Sequence, residues 1–312
     1  MKQIRQALMF SAGIFLILLG IVGLVLPFLQ GWLFIFLGLS LIAPRLAERL
    51  RRRFFRRFFK SDLIYLEEWK RSNVEAGFTT RRFGLVLKNT EDLLLEANRR
   101  EFIRLFSESS VARSHKLSVP ERLVLLRQVH GSEVKVLKDE QACSKPGLYP
   151  LEGTDGAITN VSGLTVLVFS ADCLPIFFTC GAWVGLAHAG WRGTKGCIAS
   201  GMVEKLCRES GLPAQEIRVL FGPCISARHY EVGPEFKDYF RPSSLRFVGN
   251  GRDRSLHFDL AKENEAQLIE AGVPAKNISN HDICTYAESE TFDSFRRDGQ
   301  ASGRIISFIT KR

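Results

Sequence analysis

Between Arg5 and Arg45 the chain carries no charged residue, and residues 7–26 are apolar over about the 20 positions that a helix needs to cross a hydrocarbon core of roughly 30 Å. This pattern predicts a membrane segment. Pro27 and Gly31 interrupt it, and the second apolar stretch, residues 32–43, is short for a straight span. It forms either the return arm of a tight hairpin, with local thinning of the bilayer, or a re-entrant segment. A cleaved signal peptide is the competing reading, with Lys2 and Arg5 as its basic start. No small-x-small cleavage site follows, and the apolar run continues too far.

Directly after the apolar region, residues 45–60 become basic and aromatic, as in Arg51-Arg52-Arg53-Phe54-Phe55-Arg56-Arg57-Phe58-Phe59-Lys60. Such a stretch can lie along an anionic membrane surface. Its charge also places everything downstream in the cytoplasm by the positive-inside bias, and fixing topology without binding anything specific is the plainer role for these arginines.

From about Ser72 onward the hydrophobic pattern is mixed. Strand-like runs fall at residues 123–126, 164–169, 176–179, 183–187 and 305–309, whereas residues 195–209 place Ile198, Met202 and Leu206 four apart, as an amphipathic helix does. The predicted organisation is a transmembrane hairpin with its basic juxtamembrane segment over 1–60, a linker over 61–71 and a catalytic domain over 72–312.

Composition narrows the classes further. With 312 residues, 46% apolar and 24% charged, the chain is globular and has room for one large domain or two small ones. The net charge of +10 suggests nucleic acid until it is located: residues 1–60 hold ten Lys/Arg against the single acid Glu48, which leaves +1 for the rest. A nucleic-acid binder would carry its excess on the folded domain, so that class is excluded. The seven cysteines form no C-x-x-C pair, and an odd number in a cytoplasm-facing domain argues against a disulfide framework. Most of them read as small buried hydrophobes. Cys173 stands apart because Asp172 precedes it and Pro175 follows at the end of a strand-like run, although a cysteine closing a strand is, taken alone, core.

The candidate chemistry lies in three stretches: Gln128-Val129-His130-Gly131, Ser170-Ala171-Asp172-Cys173-Leu174-Pro175 and Leu186-Ala187-His188-Ala189-Gly190-Trp191-Arg192-Gly193. If the fold brings them together, two imidazoles and a thiolate converge. Three such donors suit Zn²⁺, and three protein ligands with a fourth position left to water is the layout of a catalytic site. His188 falls at a strand end, and Arg192 near the N-terminus of the helix that follows, where backbone N–H groups and a guanidinium can hold an anion. Arg296 and Arg297, with Arg304 beyond them, can close on the same anion. Taken singly, each arginine is more simply solvated surface charge.

These stretches, together with Gly77-Phe78-Thr79-Thr80-Arg81, Thr154-Asp155-Gly156, Tyr230-Glu231-Val232-Gly233 and Arg296-Arg297-Asp298-Gly299, occur in the order seen in the YfiH-like family, also called the laccase-domain or multicopper polyphenol oxidase family, which residues 72–312 resemble. The resemblance implies a single α+β domain with mixed sheets. It further implies a zinc-dependent purine nucleoside phosphorylase that cleaves adenosine, inosine and methylthioadenosine with phosphate and also deaminates adenosine. His130, Cys173 and His188 become the metal ligands, and Arg192, Arg296 and Arg297 candidates for phosphate. Asp172 is expected either to shuttle protons beside Cys173 and His188 or to orient one of the histidines. Two departures from the family pattern, at Arg82-Phe83-Gly84 and over residues 222–230, bear on substrate preference more than on the metal. The N-terminal segment resembles small transmembrane proteins with a Pro-Gly-rich hairpin. The expected partners are a purine nucleoside, phosphate, the membrane and a second copy of the chain in a homo-oligomer.

Two other readings remain open. Cys173 and His188 can form a nucleophile–base pair for amide hydrolysis, as in an amidase editing peptidoglycan precursors, an activity also associated with the family; no metal would be needed. A membrane-tethered binding module without catalysis would have lost a member of the triad, yet all three are present. Multicopper oxidation is disfavoured, since one three-ligand site cannot supply several copper centres and no His-x-His cluster occurs.

Overall fold

The computed structural model describes residues 61–312 apart from 68, 70–72, 139–142, 144 and 250–253. The membrane hairpin and basic segment expected over residues 1–60 lie outside the described residues. Among those described, no helix is long and apolar enough to cross a membrane.

Two six-stranded mixed sheets carry the domain. The first consists of β1 (Leu63–Tyr65), β2 (Val74–Thr79), β3 (Arg122–Arg127), β5 (Gly147–Glu152), β7 (Leu164–Ser170) and β15 (Ile305–Lys311), in the order β1-β2-β15-β7-β3-β5. β7, β3 and β5 run parallel, and the remaining neighbours are antiparallel. The second holds β4 (Val134–Leu137), β6 (Gly156–Thr159), β8 (Leu174–Cys180), β9 (Trp183–Ala189), β10 (Arg218–Phe221) and β14 (Ile278–Asn280), in the order β14-β10-β8-β9-β6-β4. A small third sheet joins β11 (Glu231–Val232), β13 (Ser255–Phe258) and β12 (Leu245–Val248). The first sheet begins before the expected domain start at Ser72, since β1 falls within the stretch read as a linker and pairs with β2.

Every residue of β7, β8 and β9 is buried, because each sheet is covered on both faces and its central strands therefore read as continuous apolar runs. Helices α1 (Glu96–Glu108) and α2 (Ser110–His115) lie over the first sheet. There Phe102 and Phe106 pack with Leu123, Leu125, Leu167, Phe169, Ile306 and Phe308. Burying each of these phenylalanines contributes about 1.5–3 kcal/mol, and truncating Phe106 to Ala would cost about 3–5 kcal/mol.

The predicted helix over 195–209 is two helices: α3 (Trp191–Lys195) and α4 (Ile198–Ser210). They break at Gly196 and Cys197, the latter in the left-handed region with φ 58°. The spacing of Ile198, Met202 and Leu206 survives as the buried stripe of α4, which packs on Ile158, Leu174, Ile176 and Phe178 of the second sheet. Helices α5 (Phe236–Tyr239), α6 (Leu260–Glu270) and α7 (Phe295–Asp298) complete the α-helices of the described residues, with α6 beside α4. Alternation along β9 sends Ala187 and Ala189 into this helix-side core, so His188 emerges on the opposite face, between the two sheets, where β9 meets β7 and β15.

Candidate metal and substrate site

The three predicted donor residues come together. His130 follows β3, Cys173 lies in the turn from β7 to β8, and His188 is the penultimate residue of β9. Their donor atoms all lie within 4.8 Å of one another, and the imidazole rings meet edge to face at 4.9 Å. The nature of the donors, two imidazoles and one thiol, fits a borderline-soft divalent ion.

The residue that organises this cluster is Asp155, for which sequence reasoning assigned no role. It is fully buried, and its carboxylate accepts from the backbone N–H groups of Val129 (3.1 Å), His130 (3.0 Å) and Gly131 (2.8 Å). The same carboxylate lies 2.9 Å from Nδ1 of His188. One buried anion thus holds the loop of the first imidazole and the ring of the second, leaving Nε2 of His188 for a ligand. Burial would raise the Asp155 carboxyl, but the bond and charge of His188 and the loop amides outweigh it and hold the group below its ordinary range.

Two glycines keep the space open. A Cβ on Gly190 would stand 3.0 Å from Cys173 Sγ and 3.2 Å from His130 Cδ2, inside the donor cluster itself. A Cβ on Gly193 would sit 2.5 Å from the Gly131 carbonyl oxygen, which lets α3 approach the His130 loop. Strain gathers here as well: His130 and Asp172 have φ of 60° and 97°, in the region that L side chains rarely adopt.

Asp172 does not occupy the orienting position expected of it beside a histidine. Its side chain accepts from Thr285 Oγ1 (2.6 Å) and from the Arg296 backbone N–H (2.7 Å), and its carbonyl accepts from Ile225 N–H (2.9 Å). These bonds pin the strained turn that presents Cys173. Electrostatically, Cys173 and His188 act on each other. Burial opposes both charges, yet His188, with hydrogen bonds from both histidines, brings the Cys173 thiol down to about 6. The thiolate and Asp155 in turn lift His188 to about 9.

A cavity of about 440 Å³ opens over this cluster. Phe169, Ile225, Tyr230 and Phe295 form its apolar wall, while Asn89, Thr90, Arg296 and Arg304 contribute polar groups. The expected arginines divide. Arg296 lines the cavity, with its guanidinium 5.3 Å from the Tyr230 ring centre and donating to the Glu231 carbonyl at 2.8 Å. Arg304 lines it too, donating to the Ser302 and Gly303 carbonyls at 3.1 and 2.9 Å, and burial lowers its pKa. Arg297 lies outside the lining: its guanidinium donates to the carbonyls of Thr285, Tyr286 and Phe292 and to Asp298. Arg192 is exposed, 4.6 Å over the Trp191 ring, and does not line the cavity.

A two-sheet domain with a His-Cys-His cluster on the floor of an aromatic and arginine-lined cavity defines a metal-competent enzyme scaffold rather than a binding module. The chain belongs to the family described as multi-copper polyphenol oxidoreductase laccase, whose model matches residues 75–312, and it is an enzyme of that family. A second model, described as a candidate transmembrane protein (PGPGW), matches residues 6–57. The chain is 36% identical over 204 residues to adenosine deaminase RL5 from an unknown prokaryotic organism, a match covering 61% of this chain and 75% of the relative. It is likewise 36% identical over 203 residues to purine nucleoside phosphorylase YlmD of Geobacillus stearothermophilus, covering 62% and 73%. Among solved structures, the hypothetical protein YfiH of Bacillus licheniformis superposes with a TM-score of 0.67 at 30% identity, covering 81% of this chain and 97% of that one. Among the described residues His130, Cys173 and His188 are the single group able to hold a metal, which is fewer donors than several copper centres require.

Proposed function

We propose that the domain is a zinc-dependent purine nucleoside phosphorylase with adenosine deaminase activity. The observation that carries this reading is the cluster of His130, Cys173 and His188 on the cavity floor, braced by Asp155 and left open by Gly190. These three residues would hold one Zn²⁺, which when bound supplies a Lewis acid and lowers the pKa of water toward neutrality. The names of the relatives, a deaminase and a phosphorylase, fit one site serving both water and phosphate as nucleophile.

In phosphorolysis, phosphate attacks C1′ of the ribose as the purine leaves, so the protein must hold an anion and a planar base in register. Arg304 and Arg296 are the arginines on the cavity wall and take the anion, in place of Arg192 and Arg297. Tyr230 and Phe295 offer aromatic surface to the base. Burial, with the charge of Cys173, raises the Tyr230 phenol, which therefore stays protonated and able to donate a hydrogen bond. Asp172 keeps the Cys173 turn in place. The test is metal analysis of the purified protein together with adenosine, inosine and methylthioadenosine assayed with and without phosphate. One Zn²⁺ per chain, phosphate-dependent release of base and phosphate-independent release of ammonia from adenosine are expected; a metal-free protein that retains both activities overturns the proposal.

A Cys-His amidase is the second reading, favoured by one observation: Cys173 and His188 sit together in the buried cluster, where each favours the charged form of the other, lowering the thiol and raising the imidazole. The sign is specific. Because the Cys173 thiol sits near 6, its alkylation by iodoacetamide in metal-depleted protein should rise through a midpoint near pH 6 and be suppressed by Zn²⁺. Amide hydrolysis that follows the same curve and survives chelation would favour the amidase.

Residues 1–60 anchor the domain to the membrane in this reading, with the catalytic domain on the cytoplasmic side, in keeping with the match over 6–57 and the basic stretch after it. Protease protection of tags at the two ends tests the hairpin: both tags should be digested only from the cytoplasmic side.

A further inference from the structure

None of the seven cysteines is in a disulfide, yet two that play no part in the metal cluster stand opposite each other on paired backbone segments. Cys224 and Cys284 are register partners in an isolated parallel bridge, closed by Cys224 N–H to the Ile283 carbonyl (3.1 Å) and Thr285 N–H to the Cys224 carbonyl (3.0 Å). Neighbouring strands lie about 4.7–4.9 Å apart, within the Cα separation of about 4.4–6.8 Å that a disulfide spans, and directly opposed residues project to the same side of the ladder. The Cys284 sulfur is steadied by the Ser226 N–H at 3.4 Å. Burial, followed by the proximity of Cys284, raises the Cys224 thiol, as expected of two thiols sharing one buried space.

The residues that follow these cysteines are the ones that grip the Cys173 turn. Ile225, next to Cys224, donates to the Asp172 carbonyl, and Thr285, next to Cys284, donates to the Asp172 carboxylate. We propose that Cys224 and Cys284 form a dithiol that a peroxide closes into a disulfide, locking together the two segments that hold the turn of the active-site cysteine. In the chemistry, one sulfur attacks hydrogen peroxide, breaking the O–O bond to give a sulfenic acid and water. The second sulfur then displaces water from the first as the S–S bond forms. Two thiols and one peroxide thus become one disulfide and two waters. Both cysteines are buried, at 8% and 9% exposure, so closure should be slower than oxidation of the exposed Cys197, and the bond, once made, sheltered from reductants.

The test uses the full chain loaded with Zn²⁺, which shields Cys173. After treatment with hydrogen peroxide and alkylation under denaturing conditions, peptide mapping should recover a Cys224–Cys284 cross-link about 2 Da lighter than the two reduced peptides together, reversed by dithiothreitol. Hydrogen exchange of the Ile225 and Thr285 amides should slow by roughly tenfold in the oxidised form. In Cys224→Ser and Cys284→Ala the cross-link disappears and oxidation leaves that exchange unchanged; should either variant fail to fold, the wild-type mapping decides alone. Recovery of both residues as alkylated thiols once Cys197 is consumed, cross-linking of either to Cys173, or unchanged exchange in the cross-linked protein overturns the proposal.

Discussion

The floor and the rim of the cavity are built on different terms. On the floor, three donors arrive from three segments far apart in sequence, and a single buried carboxylate, Asp155, aligns two of them. On the rim the expected arginines are Arg192, Arg296, Arg297 and Arg304, and only Arg296 and Arg304 reach the cavity; Arg297 satisfies carbonyls of its own loop. Two imidazoles and a thiol brought together form a donor set with few other uses, whereas a guanidinium with five donors serves equally well as an anion holder or an internal strut. Residue type is therefore a sharp signal on the floor and a blunt one on the rim.

The contrast yields graded expectations. Cys173→Ser should remove metal from the protein and lower both activities by on the order of 10³-fold, since the group belongs to the reacting centre itself; retained stoichiometric metal would break the assignment of the floor. Asp155→Asn keeps the shape but disrupts both the His130 loop and the His188 ring, and a loss of 10–100-fold in zinc affinity is expected by competition with a chelator, on the order usual for such partners. A variant that binds zinc like the parent would show that Asp155 serves only the loop.

On the rim, Arg304→Gln should raise the KM for phosphate by about tenfold with little change in deamination, the loss of one charge-assisted contact. Arg297→Gln should do the reverse. It removes the guanidinium that donates to the carbonyls of Thr285, Tyr286 and Phe292, so the melting temperature should fall by several degrees, corresponding to about 1–3 kcal/mol, while phosphate KM stays near the parent value. The smallest effect belongs to Arg192→Lys: less than about twofold in either assay, since its guanidinium lies exposed over Trp191. A selective loss of phosphorolysis in this variant would restore Arg192 to the anion subsite and erase the distinction drawn between floor and rim.

How far the sequence disclosed the fold depended on whether each element was defined locally. The apolar runs that became β7, β8, β9 and β15 were visible because both faces are buried, and the α4 stripe because Met202 and Leu206 keep helical spacing. The break at Gly196 and Cys197 was not, since periodicity continues through it. β1 escaped notice at three residues, too short to show alternation and stable only as the partner of β2. Asp155 was visible as a letter in Thr154-Asp155-Gly156, but its role arises from contacts with residues about 25 and 33 positions away, which no local pattern encodes. Its one available signal was an aspartate immediately before a buried strand, a place where a charge needs a partner.

Gly190 has a consequence for reading relatives. A single methyl at this position would occupy the volume between Cys173 and His130 while leaving every ligand letter, both sheets and the cavity wall intact. A chain that kept the histidines and the cysteine but carried alanine there would keep its motif and yet crowd two of the three donors, so Gly190→Ala should weaken metal binding while the fold stays intact. The hydrogen atom at that α-carbon is thus as much a part of the donor cluster as the ligands it stands between.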